Sequence, residues 1–347
     1  MSEKIYRGAV IGLGIMGDVV DGLGGRNPDL LLPGNHAEAY VMHSRTELIA
    51  GATRDPERQA RFHDKRGVPV YGDYREMLEV ERPDIVSVAT PATIHAEMVV
   101  AAAEAGARAI WCEKAMATSL EECDRMLAAC EAAGVVLCIN HQRRWDNRYQ
   151  ALKRLVDGGE IGALQAMQIS FGYGRLCRGG SHSFDLSLFF AADDIAWGWG
   201  WLSDPGAFDP GGTGIFETRS GIRITIDGAL GMNHGLQIEL IGDAGVIKLV
   251  RDINQVQIWT PDERENWRDF GALSQRSMPT NYPVRSLFLN ALDDMIHCME
   301  IGAEPRSSGR DGLRAFEMIA AIHLSHCAGK RPIEFPLAEH AFEILSS

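Results

Sequence analysis

Short apolar runs alternate with amphipathic stretches over the first 140 residues, the pattern of a parallel sheet whose strands are joined by crossover helices. The runs Gly8–Gly12, Glu47–Thr53, Ile85–Ala89, Ala107–Cys112 and Val135–Asn140 have the length of buried strands. Between them His36–His43, Pro56–Lys65, His95–Ala105 and Leu120–Ala133 carry helical periodicity, and Gly134 ends the last. Near Asn140 the pattern changes. A helix over Tyr149–Asp157 stops at Gly158-Gly159, and strict alternation follows in Ile222–Ile226, Leu236–Leu240 and Val256–Trp259. That alternation marks a sheet covered on one face. Ser220-Gly221, Gly242-Asp-Ala-Gly245 and Gly211-Gly-Thr-Gly214 read as turns, and Ser286–Ile301 and Gly312–Cys327 as amphipathic helices. The expected fold is α/β plus α+β. Residues 1–140 form an N-terminal Rossmann domain, a doubly wound parallel sheet. Residues 141–347 form a substrate-binding and oligomerisation domain with an open, predominantly antiparallel sheet and helices on one face.

The first apolar run breaks into Gly12-x-Gly14-x-x-Gly17, which suits a strand turning tightly into a helix and leaving backbone N–H groups for a phosphate. Gly12 permits the turn, Gly14 lets a pyrophosphate approach, and Gly17 allows helix to pack on strand. Gly12, Gly14, Ile15, Met16 and Gly17 are therefore candidate cofactor residues. The next strand end usually lies about 20 residues beyond the glycines. Here it falls at Thr53, much later, so Asp18–Pro33 reads as an insertion, either a lid or oligomer contact or a plain surface loop. At that strand end stand Thr53-Arg54, with Arg58 one turn into the following helix. A carboxylate there would hold a ribose 2′-OH and repel a 2′-phosphate, whereas a hydroxyl and two guanidinium groups suit the phosphate. NADP is expected over NAD, the alternative being that Arg54 is solvated and Asp55 takes the ribose.

Length and charge narrow the functional classes. A chain of 347 residues exceeds one ordinary core, and its 46% hydrophobic and 23% charged content is that of a globular protein. A net charge of −13 argues against nucleic acid or anionic membrane as partner. No apolar stretch nears the roughly 20 residues of a membrane span. The 7 cysteines form no CxxC pair and read as reduced thiols, so a cytoplasmic location is expected.

Two further strand ends carry chemistry. Ala89-Thr90-Pro91 leads to His95, and Trp111-Cys-Glu113-Lys114 leads to Leu120; both point to the carboxyl edge of the sheet, where ligands bind. By periodicity alone Glu113-Lys114 is simply the polar end of a strand. These residues occur in a longer series: His36-Ala-Glu-Ala-Tyr40, Asn140-His-Gln-Arg-Arg-Trp145, Gly159-Glu-Ile-Gly162, Gly179-Gly-Ser-His182-Ser-Phe-Asp185 and the Gly302–Pro305 turn. In that order they resemble the glucose–fructose oxidoreductase and inositol dehydrogenase (Gfo/Idh/MocA) family over nearly the whole chain.

The resemblance implies a nicotinamide-dependent oxidoreductase that exchanges a hydride with a secondary alcohol or ketone of a sugar, cyclitol or related polyol. It implies a homodimer or homotetramer built through the open sheet. The family's Glu-Lys-Pro lysine corresponds to Lys114, which polarises the reacting oxygen or relays its proton, and Glu113 orients the cofactor. Thr90, Pro91, His95, Glu113 and Lys114 join the expected cofactor residues. His182 corresponds to the family histidine on the same oxygen. Arg143, adjacent to Arg144, and Asp185 are expected at the substrate, the bland alternative being an ion pair between domains.

Two departures bear on this reading. Ala115 replaces the family proline after the lysine, and Arg178 stands where many members carry a catalytic aspartate, four residues before the histidine. Arg178, with Arg175 and Arg143, either selects an acidic substrate such as a uronate, sulfonate or sugar phosphate, or turns outward. Two other readings follow: a redox-neutral enzyme that oxidises, eliminates and reduces on bound nicotinamide, and a catalytically silent NADP(H)-binding sensor. No metal is expected, since His323-x-x-His326 lies on a helix face that reads as core and has no third ligand. Trp197, Trp199 and Trp201 read as sheet cover.

Overall fold

All fifteen expected strands and helices reappear with small shifts at their ends, and the computed structural model describes residues 4–19, 32–172, 174–230, 235–261, 273–278 and 285–344. Most of the segment 18–33 lies outside the described residues. In chain order the first elements are β1 (Tyr6–Ile11), α1 (His36–Met42), β2 (Thr46–Ala52), α2 (Pro56–Arg66), β3 (Val70–Tyr71) and α3 (Tyr74–Glu81). Then come β4 (Ile85–Val88), α4 (His95–Glu104), β5 (Ala109–Cys112), α5 (Leu120–Ala133) and β6 (Val136–Ile139). The chain continues with α6 (Asn147–Asp157), β7 (Leu164–Phe171), α7 (Ser181–Ala191), β8 (Ile195–Leu202), β9 (Gly212–Thr218) and β10 (Arg223–Asp227). It ends with β11 (Leu236–Gly242), β12 (Val246–Val250), β13 (Gln255–Pro261), β14 (Leu273–Ser277), α8 (Leu287–Ile301), α9 (Gly309–Cys327) and β15 (Ile333–Glu334).

Local chemistry sets the helix ends. Asn35, Asp55, Asp73 and Ser119 each accept a backbone N–H at a helix start, and Gly67 and Gly134 close α2 and α5 in the left-handed conformation. The first sheet is wholly parallel, in the order β3-β2-β1-β4-β5-β6. Its order reverses between β1 and β4, which brings Gly12 beside Ala89 and Thr90 at the carboxyl edge.

The described residues fall into two compact units, one within 1–146 and 284–313, the other within 147–283 and 314–345. This differs from a single boundary after residue 140, because the chain returns to the first unit. Phe288, Leu292, Met295 and Ile296 of α8 enter the core that holds Trp111 and Trp145. Ile139 N–H donates to Ser307 O (3.0 Å), and Ser307 Oγ donates to Ile139 O (2.7 Å), so the returning segment edges β6. Helical periodicity tells which residues of α8 are apolar, not which sheet they meet.

The second unit holds a nine-stranded sheet in the order β14-β13-β12-β11-β7-β10-β9-β8-β15, antiparallel except where β7 meets β10. One face is packed: Phe184 of α7 meets Phe216 edge-on, and Ile322 of α9 lies against the glycines of β8 and β9. The segment Gly211–Gly214, expected as a turn, instead opens β9. A Cβ on Gly214 would stand 2.8 Å from Ile322, so the glycine serves close helix-on-sheet packing. Helix α7 escaped the sequence reading because it is buried nearly all round and shows no amphipathic period. Among the described residues no helix is long and apolar enough to cross a membrane.

Candidate active site

At the end of β1 the chain turns at Gly12, whose φ of 93° belongs to glycine. A Cβ there would lie 2.5 Å from Ala89 O, and one on Gly17 1.9 Å from Gly12 O, so both positions require glycine for backbone packing. A Cβ on Gly14 would meet only Arg58 Nη1, at 3.5 Å. The loop is therefore closed at its two ends and open at its middle. Ile15–Val19 follow as a single wide helical turn, with Asp18 and Val19 N–H both donating to Gly14 O.

Gly14 opens onto a cleft of ≈ 590 Å³. Gly12, Gly14, Thr53, Arg54, Arg58, Thr90 and Pro91 line it, so seven expected cofactor residues come together at the switch point of the sheet. Tyr74 and Arg75 at the start of α3 and Glu97 on α4 form a further wall that sequence reasoning missed. Asp55 also lines the cleft, but its carboxylate caps α2 and pairs with Arg58 Nε at 3.1 Å. Arg75 lies over the Tyr74 ring and pairs with Glu97, while Tyr74 O–H donates to Glu97 at 3.0 Å. Burial and that hydrogen bond push the Tyr74 phenol up to about 12. Ile15, Met16, Gly17, His95, Glu113 and Lys114 are not among the cleft-lining residues.

His95 is fully buried behind the cleft wall. Its Nε2 faces Thr90 O at 2.7 Å, and its Nδ1 faces Ala115 O and Met116 O at 3.1 and 3.2 Å. Burial, opposed by these carbonyls, lowers its pKa. The ring thus ties the Thr90 loop to the turn after Lys114.

Around Glu113 the structure builds a buried polar network. Glu113 Oε1 accepts from Asn140 Nδ2 (2.6 Å) and lies 3.1 Å from His36 Nε2. His36 Nδ1 meets Ser87 Oγ (2.9 Å), Ser87 meets the Tyr40 hydroxyl (2.8 Å), and Trp111 Nε1 donates to Asn140 Oδ1 (3.2 Å). Burial alone would raise the Glu113 carboxyl, but His36, the Lys114 charge and Asn140 outweigh it and hold the group at about 2. Glu113 is thus a fixed anion beside a half-buried Lys114, and the Lys114–Ala115 peptide is cis. His141 completes the neighbourhood: burial, then the charges of Arg144 and Lys114, push its pKa well below the ordinary range and keep it neutral. Both histidines fall within motifs of the family resemblance but had no role assigned there; the partners of His36, Ser87 and Glu113, lie far off along the chain.

Arg144 is buried, pairs with Asp311 (3.1 Å) and donates to Arg306 O (3.1 Å). It is committed to the first unit's own packing, which leaves the half-buried Arg143 as the candidate for substrate.

In the second unit, His182 and Asp185 sit three residues apart on α7, His182 half-buried and Asp185 fully buried. Arg178 is exposed in the turn before the helix. His323 is buried, which with the nearby His326 pushes its pKa down to about 4, and His326 Nδ1 accepts from Leu202 N–H (3.2 Å). Both histidines of α9 thus serve packing and backbone bonding. Among the described residues no cluster of three or more metal-ligating side chains occurs.

A glycine cradle at the switch point, with an arginine-lined cleft beyond it and a lysine held at a neighbouring strand end, defines an NAD(P)-binding oxidoreductase. The geometry fits the dinucleotide: Gly14 leaves its approach bare, and the cleft continues from it toward Arg54 and Arg58. The oxidoreductase family with an NAD-binding Rossmann fold matches residues 31–141. That match begins beyond most of the 18–33 segment, which separates the glycine loop from the rest. D-apiose dehydrogenase of Paraburkholderia graminis is 27% identical, over 94% of this chain and 89% of the relative. Myo-inositol 2-dehydrogenase of Thermotoga maritima is 26% identical, over 81% of this chain and 89% of the relative. The fold of aldose-aldose oxidoreductase from Caulobacter crescentus superposes with a TM-score of 0.80 at 20% identity, covering 96% and 100% of the two chains. Residues 31–141 thus match the Gfo/Idh/MocA oxidoreductase family, and the chain is similar over most of its length to sugar and cyclitol dehydrogenases.

Proposed function

We propose that the protein is an NADP-preferring dehydrogenase or reductase acting on a secondary alcohol or ketone of a sugar, cyclitol or related polyol, neutral or acidic. When bound, the nicotinamide would supply or accept the hydride. Lys114 holds the reacting oxygen and its proton: its ammonium polarises a carbonyl, and the neutral amine accepts the proton of an alcohol. The observation that carries this reading is the Glu113 anion, fixed in the His36–Asn140 network beside Lys114. A permanently ionised neighbour restrains the lysine and favours its charged form. His182, which corresponds to the family histidine, is the second proposed acid–base residue, and Asp185 lies three residues on in α7. Arg143 and Arg178 hold the substrate's hydroxyl or carboxylate oxygens.

The NADP preference rests on Arg54 and Arg58, both in the cleft, and on the commitment of Asp55 to the α2 cap and to Arg58. The relatives' substrates, an apiose and an inositol, support a polyol. Homo-oligomers are expected through the half-exposed sheet face that carries Trp197, Trp199 and Trp201, in a cytoplasmic protein.

The test is direct. Purified protein is mixed with NADP or NAD and a panel of aldoses, cyclitols and their uronates, and cofactor absorbance is followed. Reduction of NADP in step with product supports the reading. Substrate turnover with no net change in cofactor assigns the redox-neutral route instead, and cofactor binding without turnover on the whole panel assigns a sensor.

A further inference from the structure

The family aspartate is missing from the turn before His182, yet a carboxylate lies against the backbone at that place. Cys177 N–H donates to Asp209 Oδ1 and Arg178 N–H to Asp209 Oδ2, both at 2.9 Å. Asp209 is only 4% exposed. Two successive amides aimed at one point make an anion nest, and here the chain fills it with its own side chain. Leu176 N–H donates to Pro210 O (3.1 Å), so three consecutive amides of this turn are held from the Asp209-Pro210 segment.

Asp209 does this from a backbone that suits another residue. Its φ is 126°, a region that glycine enters freely and other residues rarely occupy. Glycine would relieve the strain and lose the anchor. Asparagine would keep the shape but offer one acceptor oxygen, turning its NH2 toward the second amide. The presence of a strained, doubly accepting side chain marks the anchor as the feature the structure retains.

We propose that Asp209 is the positioning residue for residues 176–180, fixing the backbone from which Arg178 and, after it, His182 project. This rests on the reading of Arg178 as the group that selects an acidic substrate. With the turn tethered, the Arg178 guanidinium has one root position from which to meet a carboxylate or phosphate. Untethered, it would sample many.

The experiment compares Asp209→Gly, Asp209→Asn, Arg178→Ala and the double variant Asp209→Gly/Arg178→Ala in the full-length protein. Three readouts are taken: amide hydrogen exchange across 174–182, Kd for NADP, and kcat and KM on a uronate and its neutral sugar. Asp209→Gly is expected to speed exchange at Cys177 and Arg178 at least tenfold. It should lower the uronate-to-neutral ratio of kcat/KM to the Arg178→Ala value, with NADP Kd within twofold. The double variant should add nothing further, as two changes in one unit do, and Asp209→Asn should fall between. Wild-type exchange and a wild-type ratio in Asp209→Gly overturn the proposal, as does a loss of NADP binding in step with activity, which marks a merely structural role. If Arg178→Ala leaves the ratio unchanged, the acidic-substrate reading fails by itself. Asp209 is then judged through His182: faster exchange with a fall in kcat at constant KM supports it, and unchanged kcat overturns it.

Discussion

Two carboxylates of the first unit, Glu113 and Glu97, show how differently one chemical group is used at the two ends of a ligand edge. Glu113 is buried, accepts from Asn140, lies against His36 and stays ionised down to about 2. Glu97 stands in solvent at the cleft mouth, paired with Arg75 and Tyr74, and its pKa is lowered chiefly by the Arg75 hydrogen bond. The buried group has a single arrangement open to it, because any lost partner leaves a charge in a poor solvent. The exposed one can exchange partners with water at little cost. Chemistry that needs an atom held in place belongs at the first end, and recognition that must adapt belongs at the second.

The largest effect should come from breaking the buried end. Glu113→Ala leaves His36 and Asn140 facing a void and is expected to cost about 3–5 kcal/mol of stability by denaturant unfolding. A loss below about 1 kcal/mol would remove the network from the account. Next comes the cleft: Arg54→Ala/Arg58→Ala should weaken NADP binding roughly tenfold or more, the scale of charge-assisted phosphate contacts, and leave NAD within about threefold. Equal weakening of both would place the arginines on the shared pyrophosphate rather than a 2′-phosphate. The pH dependence sharpens the contrast. The folded pKa of Glu113 is depressed from 4.5 to about 2, so its stabilisation is complete above 4.5 and disappears as pH falls through about 2. His141, depressed from 6.5, acts with the same sign, so stability should already decline as pH drops below that value. The difference in unfolding free energy between wild type and Glu113→Gln should therefore shrink on acidification from 4.5. Smallest is Glu97→Gln, which should leave Tm unchanged within error; a clear drop would show that the cleft mouth is structural.

The two ends also differ in what the sequence discloses. The glycine loop, Thr53-Arg54, Arg58 and Thr90-Pro91 are legible because each follows a short apolar strand, and a parallel sheet delivers all its strand ends to one edge. Glu113-Lys114 is legible by place, but the network around Glu113, of His36, Ser87 and Asn140, is not. They come from three other elements, and only the folded sheet sets them side by side. His95 was expected at the cofactor and instead ties carbonyls of two loops, since a motif position does not reveal which way a ring faces. Asp209 carried no pattern at all, its role resting on a backbone angle and two amides. The return of α8 to the first unit was hidden for a similar reason: an apolar stripe does not name the surface it will cover.

Whether Lys114 is the acid–base group is tested most directly by Lys114→Met, a change of similar length without charge, measured for kcat on the best substrate of the panel and for NADP Kd. The account predicts a 10²- to 10⁴-fold fall in kcat, the usual worth of a general acid–base group, with Kd within about threefold. Turnover near the wild-type rate, or a fall in turnover matched by an equal loss of NADP affinity, would contradict it.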